Sequence, residues 1–295
     1  MGLTLGLIGY GEVGGIFGRG LLGKPGIDAV WAWDLKFAQE ATRTAAAAEG
    51  VQAADGMQQL CTRADLLISA VTASNTFAVA DEAARHARRG SRFLDLNSAS
   101  PGTKQRAAAA LEAVGVAYVE AGVMTSVPPY GIRVPMLLGG AQAESLAAEL
   151  NAWGMDARTV SEQLGVASAI KMSRSIMIKG LEALVIESYT TARRYGVEAH
   201  VLPTLKETFP QIDWDKQGAY FFSRVVQHGK RRAEEMHEAA RTVKEAGFEP
   251  IMATAIAHKQ DWVARQAQAG LFDGLDGQSA WQAYADRLIA ASDPD

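Results

Sequence analysis

The stretch LTLGLIGYGEVGGIFG, residues 3–18, decides the fold. An apolar run over 3–9 reads as a buried strand, and Gly9, Gly11 and Gly14 then lead into a helical pattern. G-x-G-x-x-G is a weak signal alone and a strong one when a strand precedes it and a helix follows. The three glycines act differently. Gly9 permits the tight turn, Gly11 lets the backbone approach a pyrophosphate, and Gly14 lets the helix pack close to the strand. Backbone N–H groups at the start of that helix, at Glu12 and Val13, then meet the phosphate charge. Asp34 ends the second strand twenty residues after Gly14, where a carboxylate accepts hydrogen bonds from ribose hydroxyls. A 2′-phosphate would sit against that carboxylate, so the expected cofactor is NAD. Lys36, two residues on, softens the repulsion and leaves NADP open.

Working outward, short aliphatic runs alternate with alanine-rich helical stretches through the first half, the pattern of a parallel sheet covered by helices. Strands are expected at 3–9, 29–34, 65–71, 92–96, 116–121 and 134–140, with a short one near 157–160. In SASPGTKQRAAAALEAV (98–114), Ser100 makes a good N-cap and Pro101 suits the first helical turn. VTASN (71–75) and NSAS (97–100) end strands on one sheet edge, which makes Thr72, Asn97 and Ser98 candidate cofactor contacts. Strand signals stop near residue 160. Beyond Leu164 the chain reads as helix, with later segments at roughly 217–246, 250–269 and 276–292. The expectation is therefore an α/β chain: a doubly wound, Rossmann-type parallel sheet domain over 1–163, then an all-helical domain over 164–295.

Composition narrows the function classes. The chain has 295 residues, 48% hydrophobic and 21% charged, enough for about two domains. A net charge of -4 and a pI near 5.8 argue against a nucleic-acid partner. The longest charge-free apolar segment, Leu66 to Ala80, is shorter than the roughly 20 residues that span a bilayer, so no membrane span is expected. One cysteine, Cys61, permits no internal disulfide, and no secretory leader pattern opens the chain; the expected location is cytoplasmic. Five histidines lack metal-site spacing, so no metal is expected. Cys61 reads as a packed apolar residue.

The stretch GVASAIKMSRSIMIKGLEALVIE (165–187) looks like protein interior, yet it carries Lys171, Arg174, Lys179 and Glu182. On a helical wheel Lys171, Ser175 and Glu182 fall within about 40° of one another. Met172, Ile176, Met177, Leu181, Ala183, Leu184 and Val185 take most of the remaining circumference. The pattern predicts a helix buried nearly all round except for one polar stripe. Unpaired buried charge is costly, so the stripe faces partners or a wet cleft. For Lys179 the expected partner is Glu182 on the same helix, with the ammonium reaching the surface.

This order of features resembles the β-hydroxyacid dehydrogenase superfamily, which includes 6-phosphogluconate dehydrogenase, 3-hydroxyisobutyrate dehydrogenase and tartronate semialdehyde reductase. In that family a helix after the Rossmann domain carries G-x5-K-x3-N; here the positions are Gly165, Lys171 and Ser175. The C-terminal half is most similar to a bacterial branch described as 6-phosphogluconate dehydrogenase-like. The resemblance implies an NAD(P)-dependent dehydrogenase or reductase acting on a small-molecule β-hydroxy acid or related alcohol, working as a homodimer through its helical domain. It implies Lys171 as general acid/base, its pKa lowered by burial and by the oxidised nicotinamide, with Ser175 orienting the lysine or the substrate. Arg174 is placed either to clamp a carboxylate or to form a salt bridge.

Two departures bear on the substrate. Where the family reads close to D-A-P-V-S-G-G, this chain reads EAGVMTS (120–126). The glycine pair is absent, Met124 adds bulk, and Thr125 and Ser126 offer hydroxyls in its place. The family's K-D pair on a later helix is replaced by Glu234 and Glu235, which removes an anion partner. Arg231 and Arg232 beside them either compensate for that loss or, the commoner meaning of such a charge run, form a solvated helix face. Imine reduction on a similar layout and non-catalytic NAD(P) sensing are the competing expectations.

Overall fold

The computed structural model describes residues 2–292. They pack as two compact units, Met1–Ser173 and Arg174–Asp295. The first is built on strands β1 (Leu3–Ile8), β2 (Ile27–Trp33), β3 (Gln52–Ala53), β4 (Leu66–Ser69), β5 (Arg92–Asp95), β6 (Ala117–Val123), β7 (Pro135–Gly139) and β8 (Asp156–Ser161). They form one sheet in the order β3-β2-β1-β4-β5-β6-β7-β8. The first six are parallel, β6 and β7 pair antiparallel, and β7 and β8 are parallel again. The order reverses between β1 and β4, the crevice where open α/β sheets bind ligands. The expected Rossmann-type sheet is present. The two-residue β3 escaped the sequence reading because a dipeptide carries no periodicity.

Helices α1 (Glu12–Leu21), α2 (Glu40–Ala48), α3 (Met57–Arg63), α4 (Thr76–Ala84), α5 (Pro101–Glu112) and α6 (Ala143–Ala152) accompany the sheet. Ser100 caps α5, its side chain accepting from the Thr103 N–H, with Pro101 at the helix start. Apolar strand residues such as Leu5, Leu7, Ile68, Leu94 and Val119 are fully buried and form the core with Phe17 and Leu21 of α1. Cys61 on α3 is buried too, and burial pushes its thiol up to about 12.

The rest of the chain is helical: α7 (Val166–Tyr195), α8 (Glu198–Thr208), α9 (Trp214–Glu245), α10 (Ile251–Gln268) and α11 (Trp281–Ala290). Gly196, at φ +66°, ends α7 in the left-handed region that favours glycine. Sequence alone does not mark α8 off from α7. In the second unit Tyr189, Phe222, Val225, Trp281 and Tyr284 form the apolar centre. The division between units falls within α7, beyond the point where strand signals end, because the first turns of α7 pack on β6. No helix among the described residues is long and apolar enough to cross a membrane.

One charge pair lies wholly inside the first unit. Lys104 Nζ of α5 is 2.9 Å from Asp95 Oδ1, and neither side chain has any exposure. The Asp95 carboxylate also accepts from Tyr118 Oη at 2.6 Å and from the Asn97 N–H at 2.9 Å. Removing one member of such a pair leaves a buried charge uncompensated. Lys104→Met is therefore expected to cost about 3–5 kcal/mol of unfolding free energy. Adding Asp95→Asn to that variant should recover part of the loss. Urea denaturation of the two variants measures both effects.

Candidate active site

The β1–α1 turn is glycine-dependent for two separate reasons. Gly9 has φ +90°, and a Cβ there would lie 2.6 Å from the Ala70 carbonyl oxygen; a Cβ on Gly14 would lie 2.0 Å from the Gly9 oxygen. The fold itself therefore demands these two residues. Gly11 differs: its φ is -79° and a Cβ would meet nothing within 4 Å. The fold itself places no demand for glycine there. Gly11 is also the N-cap of α1 and offers no capping side chain, so the N–H groups of the first turn, including those of Glu12 and Val13, have no side-chain acceptor there. A helix start bare of side chains and rich in donors fits a pyrophosphate.

Asp34 fastens this turn to the end of β2. Its two carboxylate oxygens accept from the Tyr10 N–H at 2.7 Å and the Lys36 N–H at 2.8 Å. Two of its roughly four acceptor positions are thus used, and two remain for ribose hydroxyls. A cleft of about 460 Å³ lies alongside, walled by Tyr10, Gly11, Glu12, Lys36, Thr42 and Glu49. Tyr10 Oη donates to Glu49 at 2.7 Å. Burial, together with the Glu49 carboxylate, holds that phenol well above its usual range and so protonated.

The neighbouring strand ends continue the row. Thr72, after β4, is exposed and accepts from Asn75 Nδ2 at 2.9 Å. Asn97, after β5, is buried; its Oδ1 accepts from the Val71 N–H at 2.7 Å and its Nδ2 donates to Ser69 Oγ at 2.9 Å. Its amide therefore ties β5 to β4 and sets the position of half-buried Ser98. At β6, Glu120 is fully buried and accepts from the Gly165 N–H at 2.7 Å, the Ala167 N–H at 3.1 Å and Ser168 Oγ at 2.7 Å. A carboxylate at a helix start meets both the orphan donors and the positive end of the helix dipole.

Glu120 fixes α7, and Gly122 lets it come close. A Cβ on Gly122 would lie 3.0 Å from the Ala167 carbonyl oxygen and 3.4 Å from Lys171 Cβ. Glu120 and Gly122 alternate onto one face of the strand, so the two residues together dock the first two turns of α7. Lys171, half-buried, is thereby set at the carboxyl end of β6, on the sheet edge that carries the glycine turn. Met124, Thr125 and Ser126 follow directly after β6; Met124 and Ser126 are half-buried and Thr125 is exposed. Sequence reasoning missed Glu120 as the anchor. The available signal was an acid in the last turns of a buried strand, which requires a partner.

Arg174 and Ser175 belong to the second unit. Arg174 is exposed, whereas Ser175 is buried and accepts from Lys179 Nζ at 3.3 Å. The expected Lys179–Glu182 pair does not form. Lys179, also buried, bonds Glu235 Oε2 of α9 at 2.8 Å. Glu182 takes Arg232 of α9 and Gln260 Nε2 of α10. The reason is geometric: partners on packed helices meet these heads inside the unit, where an intrahelical pair would have to reach outward. Glu235 is accordingly an anion partner for a lysine, and Arg232, 8% exposed, is no part of a solvated face. The burial of α7 follows expectation in part: Met172, Ala183 and Val185 are buried, and the polar stripe meets paired partners. That stripe is inside, whereas Met177 and Leu184 are 66% and 57% exposed. Among the described residues no group of three metal-ligating side chains occurs.

The contrast between two glycines is testable. Gly14→Ala should unfold or severely destabilise the protein, since its methyl group meets backbone. Gly11→Ala should change the melting temperature little and weaken NADH binding at least tenfold, as read by nicotinamide fluorescence.

Known proteins share this fold. Residues 4–148 match the NAD binding domain of 6-phosphogluconate dehydrogenase, and residues 192–263 match DUF1932, a domain of unknown function. A conserved hypothetical protein from Sinorhizobium meliloti 1021 is 38% identical, with 98% of this chain and 97% of that one covered and a TM-score of 0.76. A conserved protein of unknown function, reported as structurally similar to 3-hydroxyacid dehydrogenases, is 30% identical over 90% of this chain and 98% of its own, with a TM-score of 0.69. The 3-hydroxyisobutyrate dehydrogenase of Mycobacterium tuberculosis, solved with L-serine, shares the fold at 16% identity and a TM-score of 0.71, covering 99% of this chain and 100% of that one. The chain belongs to the β-hydroxyacid dehydrogenase superfamily, in a branch that joins a 6-phosphogluconate dehydrogenase-type NAD-binding domain to a DUF1932 helical domain.

Proposed function

We propose that the protein is an NAD-dependent oxidoreductase that transfers a hydride between the nicotinamide and the hydroxyl-bearing carbon of a β-hydroxy acid or related alcohol, with Lys171 as general acid/base. The observation that carries this reading is the docking of Lys171 against Gly122, at the end of a strand that shares its carboxyl edge with the glycine turn. Read across the sheet from β2 to β6, Asp34, Gly11, Thr72, Ser98 and Lys171 follow one another along that edge. A dinucleotide laid along them would rest its ribose hydroxyls on Asp34 and its pyrophosphate on the N–H groups of Glu12 and Val13. The bound nicotinamide supplies or accepts the hydride. Lys171 takes the hydroxyl proton during oxidation and returns it during reduction. Thr125 and Ser126, in the loop just beyond Gly122, present hydroxyl donors to the substrate in place of the family's glycine pair.

Met177 and Leu184 stand seven residues apart on one exposed face of α7. They support a homodimer formed through the helical unit.

Lys171→Ala should lower turnover by about 10²–10⁴-fold while NADH affinity changes little. The assay is a panel of hydroxy acids and cyclic imines run with NADH and NADPH. Activity on hydroxy acids with tighter NADH binding supports the reading. Turnover that survives in the variant refutes the role of Lys171, and activity confined to imines reassigns the reaction. Leu184→Glu should shift a dimer towards monomer in sedimentation velocity.

A further inference from the structure

The charges of the helical unit do not all cancel. Lys179 is matched by Glu235, and Arg232 by Glu182. Arg224 and Arg231 of α9 have no such match: each has a buried Nε without a hydrogen-bond acceptor, and neither guanidinium forms an ion pair among the described residues. They stand at positions i and i+7 of one helix, with His228 at i+4, so all three lie along one face within two turns. Both arginines and the histidine are half-buried, so none of the three is sealed from solvent.

Two like charges on one face, each with an unmet buried donor, form a costly arrangement for a protein to keep to itself. An anion from solution would satisfy the donors and cancel the repulsion together. We infer that Arg224, His228 and Arg231 form an anion-binding site for a small oxyanion, the carboxylate of an organic acid or a phosphate group. The two guanidiniums grip the oxygens, and the imidazole supplies a further N–H. Burial lowers the His228 pKa to about 4, with Arg224, Arg231 and Arg232 adding to the effect against the opposing pull of Glu235. The ring is therefore neutral at pH 7 and leaves the positive charge of the site to the arginines. The inference does not depend on the reaction proposed for Lys171, and its test uses no turnover.

Thermal melts of the full chain in chloride buffer, with inorganic phosphate or malonate added at constant ionic strength, test the site. At about 10 mM, one of the two anions should raise the wild-type melting temperature by about 2–4 °C. Arg224→Gln and Arg231→Gln should lose that increase. In chloride alone they should melt no lower than wild type, because each removes an unmatched cation. Phosphate active and malonate inert identifies a phosphate ligand; the reverse identifies a carboxylate. Equal increases in wild type and variants would mean an adventitious ion only and would overturn the inference, as would no response to either anion. Should a variant fail to fold, the His228 ring resonances of the wild type decide the matter. A saturable shift with the active anion upholds the site, and no shift refutes it.

Discussion

The buried carboxylate of Glu120 is the interaction on which the arrangement of the first unit turns. It has no exposure, and among the described residues its bonds come from neutral donors, three of them at the start of α7. A charge in that position is tolerable only while all its bonds are made. The same requirement fixes the helix. Gly165, at φ +102°, bends the chain so that its own N–H points at the carboxylate, and Gly139 on β7 leaves the room the side chain occupies. Two residues along β6, the missing side chain of Gly122 lets the second turn of α7 settle on the strand. Lys171 is placed by these contacts, at the strand end where the chemistry is proposed.

The second unit solves a related problem differently. Its buried lysine and buried glutamate are each matched by an opposite charge from α9, so the polar stripe of α7 becomes internal cross-linking between helices. Ser175 is drawn into that network through Lys179. One continuous helix thus serves two purposes, with its first turns belonging to the sheet and its remainder to the helical core. Of the apolar residues that sequence reasoning places inside, Met172, Ala183 and Val185 are buried, whereas Met177 and Leu184 are left outside.

These details mark the limits of what the sequence discloses. The glycine turn, the strands beginning near Leu3, Ile27, Leu66 and Arg92, and the Ser100 cap are legible because their signals are local: spacing, alternation and one capping residue. The superfamily follows from the same features together with Gly165 and Lys171. What stays hidden depends on contacts between distant positions. Glu120 meets Gly165 across 45 residues, and Glu182 meets Arg232 across 50. A helical wheel groups the polar residues correctly but cannot say whether that sector faces solvent or a neighbouring helix. The role of Asn97 is hidden for the same reason, since its partners are Ser69 at the end of β4 and Val71 just beyond it.

The central claim is that Lys171 stands at the reacting end of a nicotinamide laid along the carboxyl edge of the sheet. A crystal structure of the protein with NAD and a trapped substrate analogue tests it most directly. The account predicts the pyrophosphate on the Glu12 and Val13 N–H groups, the ribose on Asp34, and Lys171 Nζ within hydrogen-bonding reach of the analogue oxygen, directly or through one water. A cofactor bound elsewhere, or an analogue beyond the reach of that amine, would contradict it.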